Sequence, residues 1–283
     1  MTICTAIGET RQWVAEQKKN GHMIGFVPTM GALHEGHLSL VRRSLAENDV
    51  TAVSIFVNPL QFGPNEDFAV YPRMPERDFS LLESLGTDMV FHPPAEELIG
   101  GDIQTFVDMQ GLTDHLCGLR RPGHFRGVCT IVTKLFNILQ PDRAYFGRKD
   151  LQQLLIIEKM VQDLNFNIQI VPCPIVREAD GLAMSSRNLY LSPQERKEAV
   201  VLSQAIKKAA SLPWENAQAS QIIKELRQVI DSAPSARIDY IQIVDRELND
   251  VTIVHSGDIL ALAVFIGKTR LIDNYIFGEE LNF

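Results

Sequence analysis

Met23-Ile24-Gly25-Phe26-Val27-Pro28-Thr29-Met30-Gly31-Ala32-Leu33-His34-Glu35-Gly36-His37 decides how the first half of this chain is read. Residues 23–27 form a short apolar run that ends at Pro28, the length and composition of a buried strand. From about Gly36 the apolar residues switch to helical spacing at Leu38, Leu40, Val41 and Leu45. The order is therefore strand, glycine loop, helix. Two glycines let backbone come close to a ligand, and a helix start presents N–H groups and the positive end of its dipole to an anion. Phosphate is the expected guest. His34 and His37 stand three apart, so once the helix has begun they share a face and can address one group.

The same alternation continues. Apolar runs at 50–57 and 89–92 stop at Asn58-Pro59 and at Pro93-Pro94, and further strands are expected at 143–146 and 167–171. Helical spacing fills about 77–85, 125–139 and 151–164, the second through Val128, Ile131, Val132, Leu135, Phe136 and Leu139. Alternating strands and helices predict an α/β chain with a doubly wound parallel sheet, whose ligands bind where strand C-termini meet the following loops. After about residue 175 the character changes. Ser192-Pro193-Gln194-Glu195 has the signature of a capped helix start, and helices at 193–211 and 216–232 precede strands at 237–244 and 259–266. The expected division is a catalytic domain at 1–175 and a smaller α+β domain at 176–283.

The whole chain narrows the function classes. With 283 residues, 45% hydrophobic and 22% charged, it has the composition of an ordinary globular enzyme. No uncharged apolar stretch is long enough for a membrane span and the N-terminus lacks a signal-peptide layout, so a cytoplasmic protein is expected. Cys4, Cys117, Cys129 and Cys173 are far apart with no C-x-x-C pair, which indicates neither a zinc knuckle nor a disulfide framework. A net charge of −8 argues against nucleic acid as a partner. The H-E-G-H run is one residue shorter than a zinc-binding H-E-x-x-H helix, and G-x-x-x-x-G-K-[ST] is absent, so neither metalloprotease nor P-loop chemistry is indicated.

Taken singly, the remaining polar residues have plain structural readings. Two histidines on a loop can be surface groups, Asn58 and Gln61 beside Pro59 turn formers, Lys149 and Asp150 a helix start, Ser185-Ser186 a polar loop. Their common place at expected strand ends favours a shared site.

Pro28 to His37 resembles the H-x-G-H element of the nucleotidyltransferase and class I synthetase superfamily, in the form P-T-M-G-A-L-H-E-G-H found in the pantothenate synthetase family. Further blocks are similar and come in order: Ser54-Ile55-Phe56-Val57-Asn58-Pro59-Leu60-Gln61-Phe62, then Tyr71-Pro72-Arg73, then Phe146-Gly147-Arg148-Lys149-Asp150-Leu151-Gln152-Gln153-Leu154. Asp180-Gly181-Leu182-Ala183-Met184-Ser185-Ser186-Arg187-Asn188 resembles the family's counterpart of the synthetase K-M-S-K-S loop. The likeness covers nearly the whole chain. Arg148 departs from it, standing where many members carry Glu or another non-basic residue.

The resemblance implies a Rossmann-like fold and an ATP-dependent condensation of (R)-pantoate with β-alanine, giving pantothenate, AMP and pyrophosphate through a pantoyl adenylate. It implies that His34, His37 and Lys149 act on the phosphates, and that Ser185, Ser186 and Arg187 close over the triphosphate. Gln61 and Gln153 become pantoate clamps, with Asn58 assisting near the phosphates or the amine. Met30 and Val176 supply apolar or backbone contacts around ATP, and Asp150 the ribose contact. Gly31, Gly147, Arg148 and Met184 complete the ATP set, Arg148 through its backbone with the side chain turned outward. Magnesium is expected to bridge phosphate oxygens, with Asp78 a direct or water-mediated contact, or else a helix-surface acid. Mobile lids are expected at 61–71 and 177–188, and a homodimer is implied. Alternatives are a nucleotidyltransferase, which the glutamine clamps oppose, a nucleotide-binding regulatory module without chemistry, and a tRNA synthetase, which lacks its basic anticodon-binding extension here.

Overall fold

A computed structural model of the chain describes residues 1–281 apart from Asn65 and Asp102. It resolves into two compact units. The first carries a six-stranded sheet of β1 (Thr2–Cys4), β2 (Ile24–Thr29), β3 (Val50–Ile55), β4 (Met89–Phe91), β5 (Arg143–Gly147) and β6 (Gln169–Cys173), in the order β1-β4-β3-β2-β5-β6. Every neighbouring pair is parallel. All six residues of β3 are buried, as a strand covered on both faces requires. The helices in this part of the chain are α1 (Ile7–Lys19), α2 (Glu35–Glu47), α3 (Pro75–Leu85), α4 (Ala95–Ile99), α5 (Leu116–Arg120), α6 (His124–Leu139) and α7 (Leu151–Asp163). Twelve of the sixteen residues of α6 are buried, which makes it an interior helix and not a one-faced cover.

Strand β2 runs two residues further than its apolar run predicts, through Pro28. Ile24 O accepts from Asp142 N on the β5 side and Thr29 O from Phe56 N on the β3 side. Alternation turns Pro28 toward β5, whose pairing covers only Gly25 and Phe26, so the missing N–H removes no sheet bond. Strand β6 is shifted by two residues and contains Pro172, which its edge position tolerates. Strand β1 and helix α1 were not expected from the pattern: β1 has three residues, and α1 buries only Thr10 and Val14.

The second unit contains α8 (Pro193–Glu198), α9 (Val201–Ser211), α10 (Ala219–Ile230) and the antiparallel strands β7 (Ala236–Val244), β8 (Ile259–Ile266) and β9 (Thr269–Ile276), in that order. Ser192 and Glu195 make the reciprocal bonds of a capping box at the start of α8. The single helix expected at 193–211 is two, because Leu202 N bonds to Ala199 O three residues back and tightens the chain between them. Strand β9 was not expected; it contains Asp273 and Asn274, residue types depleted from strands. Residues 114–116 and 149–152 also group with this unit, which otherwise begins at Ile175. Among the described residues no helix is long and apolar enough to cross a membrane.

Candidate active site

The chain winds from β2 through β3 to β4 on one side of the sheet and returns with β5 on the other, so β2 and β5 border the topological switch point where such sheets bind ligands. The loop after β2 is the H-x-G-H segment, and the end of β5 is Gly147, followed by Arg148.

Consecutive left-handed residues shape the first loop: Gly31 has φ +82° and Ala32 φ +49°. Glycine adopts this conformation freely and alanine does not, so Ala32 must be held. Asp78 on α3 holds it, one carboxylate oxygen accepting from Ala32 N and the other from Leu33 N, each at 2.8 Å. Thr29 braces the entry by donating to Ser54 O at 2.8 Å and accepting from Gly31 N at 3.2 Å. Asp78 is fully buried, which corrects the surface-acid reading. Burial raises its pKa, opposed by the bonds from Leu33 and Ala32. Since both oxygens already accept backbone N–H groups, its visible task is to shape the loop.

The turn delivers His34 to the residue before α2 and His37 to its first turn, with ring centroids 4.0 Å apart. His37 Nδ1 accepts from His34 N at 3.4 Å. In a neutral ring that acceptor role leaves the proton on Nε2. The N–H groups of Glu35 and Gly36, ahead of the first bonds of α2 to His34 O, add the helix-start dipole to the same place.

Strands β2 and β3 end level, with Thr29 opposite Ile55, so their loops emerge side by side. Buried Asn58 caps a 3₁₀ turn at Pro59–Gln61: its oxygen accepts from Leu60 N, while its amide nitrogen donates to Gln61 Oε1 at 3.0 Å and to Gly127 O at 3.1 Å. Gln61 Nε2 in turn lies 3.1 Å from Met30 Sδ. Met30, Asn58 and Gln61 are thus one cluster. Helix α6 approaches so closely that a Cβ on Gly127 would lie 2.2 Å from Leu60 O.

Sequence reading missed the support beneath Gln61. Arg121 donates to His124 Nε2 at 3.1 Å, so that nitrogen accepts, and the proton on Nδ1 is donated to Gln61 O at 2.8 Å. Arg121 also reaches Gln61 O and both oxygens of Glu66. Burial opposes ionisation of Glu66, but the Arg121 bonds and charge outweigh it and hold the carboxyl below its usual range. The signal was present in Arg121-Pro122-Gly123-His124, a cation and an imidazole around a turn. In the expected lid at 61–71, Asn65 lies outside the described residues.

Lys149 and Asp150 belong to the second unit, in a 3₁₀ turn before α7, where the ammonium lies 3.6 Å from Asp150 Oδ2. Gln153, in the first turn of α7, is partly exposed. In the 177–188 segment, Met184 N donates to Val176 O at 3.0 Å, Arg177 and Ala183 form a bridge, and Ser185 Oγ caps Ser186–Tyr190 by accepting from Arg187 N. Arg196 pairs with Asp180 and Glu178, and its hydrogen bonds lower the Asp180 pKa.

The sequence profile of the pantoate-beta-alanine ligase family matches residues 2–276. The chain belongs to that family. The pantothenate synthetase of Carboxydothermus hydrogenoformans is 54% identical over 283 residues, covering 99% of this chain and all of that protein, and that of Thermoanaerobacter sp. (strain X514) is 52% identical with the same coverage. The crystal structure of pantothenate synthetase from Thermus thermophilus matches with a TM-score of 0.93 at 43% identity, over 98% of this chain and 99% of that one. The pantoate-beta-alanine ligase of Francisella tularensis, complexed with beta-gamma ATP and beta-alanine, matches with a TM-score of 0.81 at 34% identity, over 98% and 97%. Like its family, the chain is a ligase that forms a C–N bond, condensing pantoate with β-alanine.

Proposed function

We propose that this ligase works through a pantoyl adenylate. A pantoate carboxylate oxygen attacks the α-phosphorus of ATP, the bond to the bridging oxygen breaks, and pyrophosphate leaves. The free amine of β-alanine then attacks the acyl carbon, its proton passes to solvent, and AMP departs. A free carboxylate is a poor electrophile, and adenylation supplies the leaving group at the expense of bringing two anions together. That repulsion is what the site has to offset.

The observation that carries the reading is the His37 geometry, in which Nδ1 accepts from His34 N at 3.4 Å, an arrangement that in a neutral ring leaves Nε2–H to donate beside the start of α2. In this reading His37 donates to the developing charge or the leaving group, His34 assists, and Lys149 supplies a compact positive charge. Ser185, Ser186 and Arg187 bind the triphosphate. Met30, Gly31, Gly147, Arg148 and Met184 line the nucleotide through backbone or apolar contacts, as does Val176, and Asp150 takes the ribose. Gln61 and Gln153 hold pantoate, because an amide offers a donor and an acceptor to a hydroxy acid, and Asn58 keeps Gln61 in register.

Magnesium enters with the triphosphate. Among the described residues no cluster of three His, Cys, Asp or Glu offers a cage, and both oxygens of Asp78 accept N–H groups, a donor set that fits an ion held chiefly by phosphate oxygens. Bound there, it would neutralise phosphate charge. We place the enzyme in the cytoplasm as a homodimer, the state that the family resemblance implies.

Exchange of labelled pyrophosphate into ATP is the test. Pantoate alone is expected to support it and β-alanine alone is not, because adenylation precedes amine attack. Exchange that required the amine, or release of ADP in place of AMP, would overturn the adenylate.

A further inference from the structure

A buried asparagine in the middle of a strand needs an explanation, because its amide costs free energy to bury unless it is hydrogen-bonded. Asn274 on β9 is such a residue, 8% exposed, and it donates from Nδ2 to Lys149 O at 2.9 Å. The preceding residue, Asp273, is 2% exposed and grips Arg177 with both oxygens, at 2.7 and 3.0 Å. Arg177 in turn donates to Gly181 O at 3.0 Å, within the segment bridged by Arg177 and Ala183. Successive strand residues point to opposite faces, so two neighbouring positions on β9 secure two separate stretches of chain in the second unit.

We infer that Asn274 is a positioning residue for the adenylation step, fixing the backbone from which the Lys149 ammonium departs. This rests on the adenylate reading above. The turn at Arg148–Asp150 is only three residues long, and a 3₁₀ turn has few bonds of its own to resist displacement. The nearby Asp150 carboxylate, at 3.6 Å, draws the ammonium toward itself. A flexible four-carbon stem delivers its charge to one place only if its Cα is fixed, and the Asn274 amide supplies that fixed point. Asp273 acts in parallel on the segment that carries Ser185 to Arg187. The pair on β9 thus sets the phosphate-binding groups of this unit without touching a phosphate.

The two half-reactions separate this role from a structural one. Adenylation handles a triphosphate, whereas aminolysis of preformed pantoyl adenylate by β-alanine does not. Asn274→Leu removes the donor and keeps most of the volume. It is expected to lower pantoate-dependent pyrophosphate exchange by about tenfold, the size of one net hydrogen bond, with the loss in the ATP parameters. The KM for pantoate and the rate of aminolysis should stay within about twofold. If thermal unfolding shows that the leucine variant is not folded, Asn274→Ala is read in the same way. Unchanged exchange, or an equal fall in both half-reactions, would overturn the inference. Wild-type enzyme that fails to exchange at all would instead remove the adenylate reading beneath it.

Discussion

The loop after β2 and the segment bridged by Arg177 and Ala183 are each held by a buried aspartate distant in sequence, yet the two carboxylates do different work. Asp78 accepts two backbone N–H groups and so fixes a conformation whatever side chains the loop carries. Asp273 pairs with one guanidinium, so everything depends on the charge of Arg177, which is itself buried. The first clamp is dipolar. The second is ionic, and its two halves are stable only together. Around it lies a more exposed pair of contacts from Arg196 to Glu178 and Asp180. The Asp180 pKa is lowered by those bonds, so whatever this outer ring contributes is present above the ordinary carboxylate pKa and fades as pH falls through the lowered value.

The largest expected effect comes from splitting the ionic clamp. Arg177→Met leaves Asp273 charged and buried, and should destabilise the protein by about 3–5 kcal/mol in urea unfolding, whereas replacing both partners with apolar residues should recover most of that loss. A single variant less than about 1 kcal/mol below wild type would mean that water or another cation already serves Asp273. Breaking the dipolar clamp should affect stability less and chemistry more. Asp78→Asn turns one acceptor into a donor facing an N–H, which should remove about 2 kcal/mol of stability. Single-turnover adenylation should slow on the order of 100-fold as the left-handed turn at Ala32 relaxes and His37 loses its aim. Near-normal adenylation in this variant would show that the glycine turn holds itself. The smallest effect belongs to a side chain outside both clamps. Arg148→Glu should change the KM for ATP by less than about threefold, within the ~1 kcal/mol expected of a solvent-screened charge. A tenfold rise that fades with added salt would place that guanidinium among the phosphate ligands.

What could be read from the sequence followed one physical rule: a feature was legible when its cause lay within a few residues of it. The buried strands β2 to β4 announced themselves as apolar runs closed by proline, and the Ser192 cap by its own spacing. The H-x-G-H loop was legible as a glycine turn between a strand and a helix, and the resemblance extended that to the family. Its holder was not, because Asp78 lies 46 residues from Ala32 and its burial is decided by how α3 packs. Strand β9 escaped for a related reason. Asp273 and Asn274 argue locally against a strand, and only their distant partners Arg177 and Lys149 make them acceptable there. Helix α1 escaped because too few of its residues are buried to set a period.

The missing side chain at Gly127 has a consequence for anyone exchanging parts between related enzymes. The turn that presents Gln61 and the helix that passes beneath it touch at backbone level, with a carbonyl where a methyl group would otherwise sit. Segment and helix are therefore a single heritable module. A transplanted 56–62 loop arrives without its seat unless residue 127 of the recipient is glycine, and a library that randomises the loop while leaving the helix alone searches only the conformations this one contact permits.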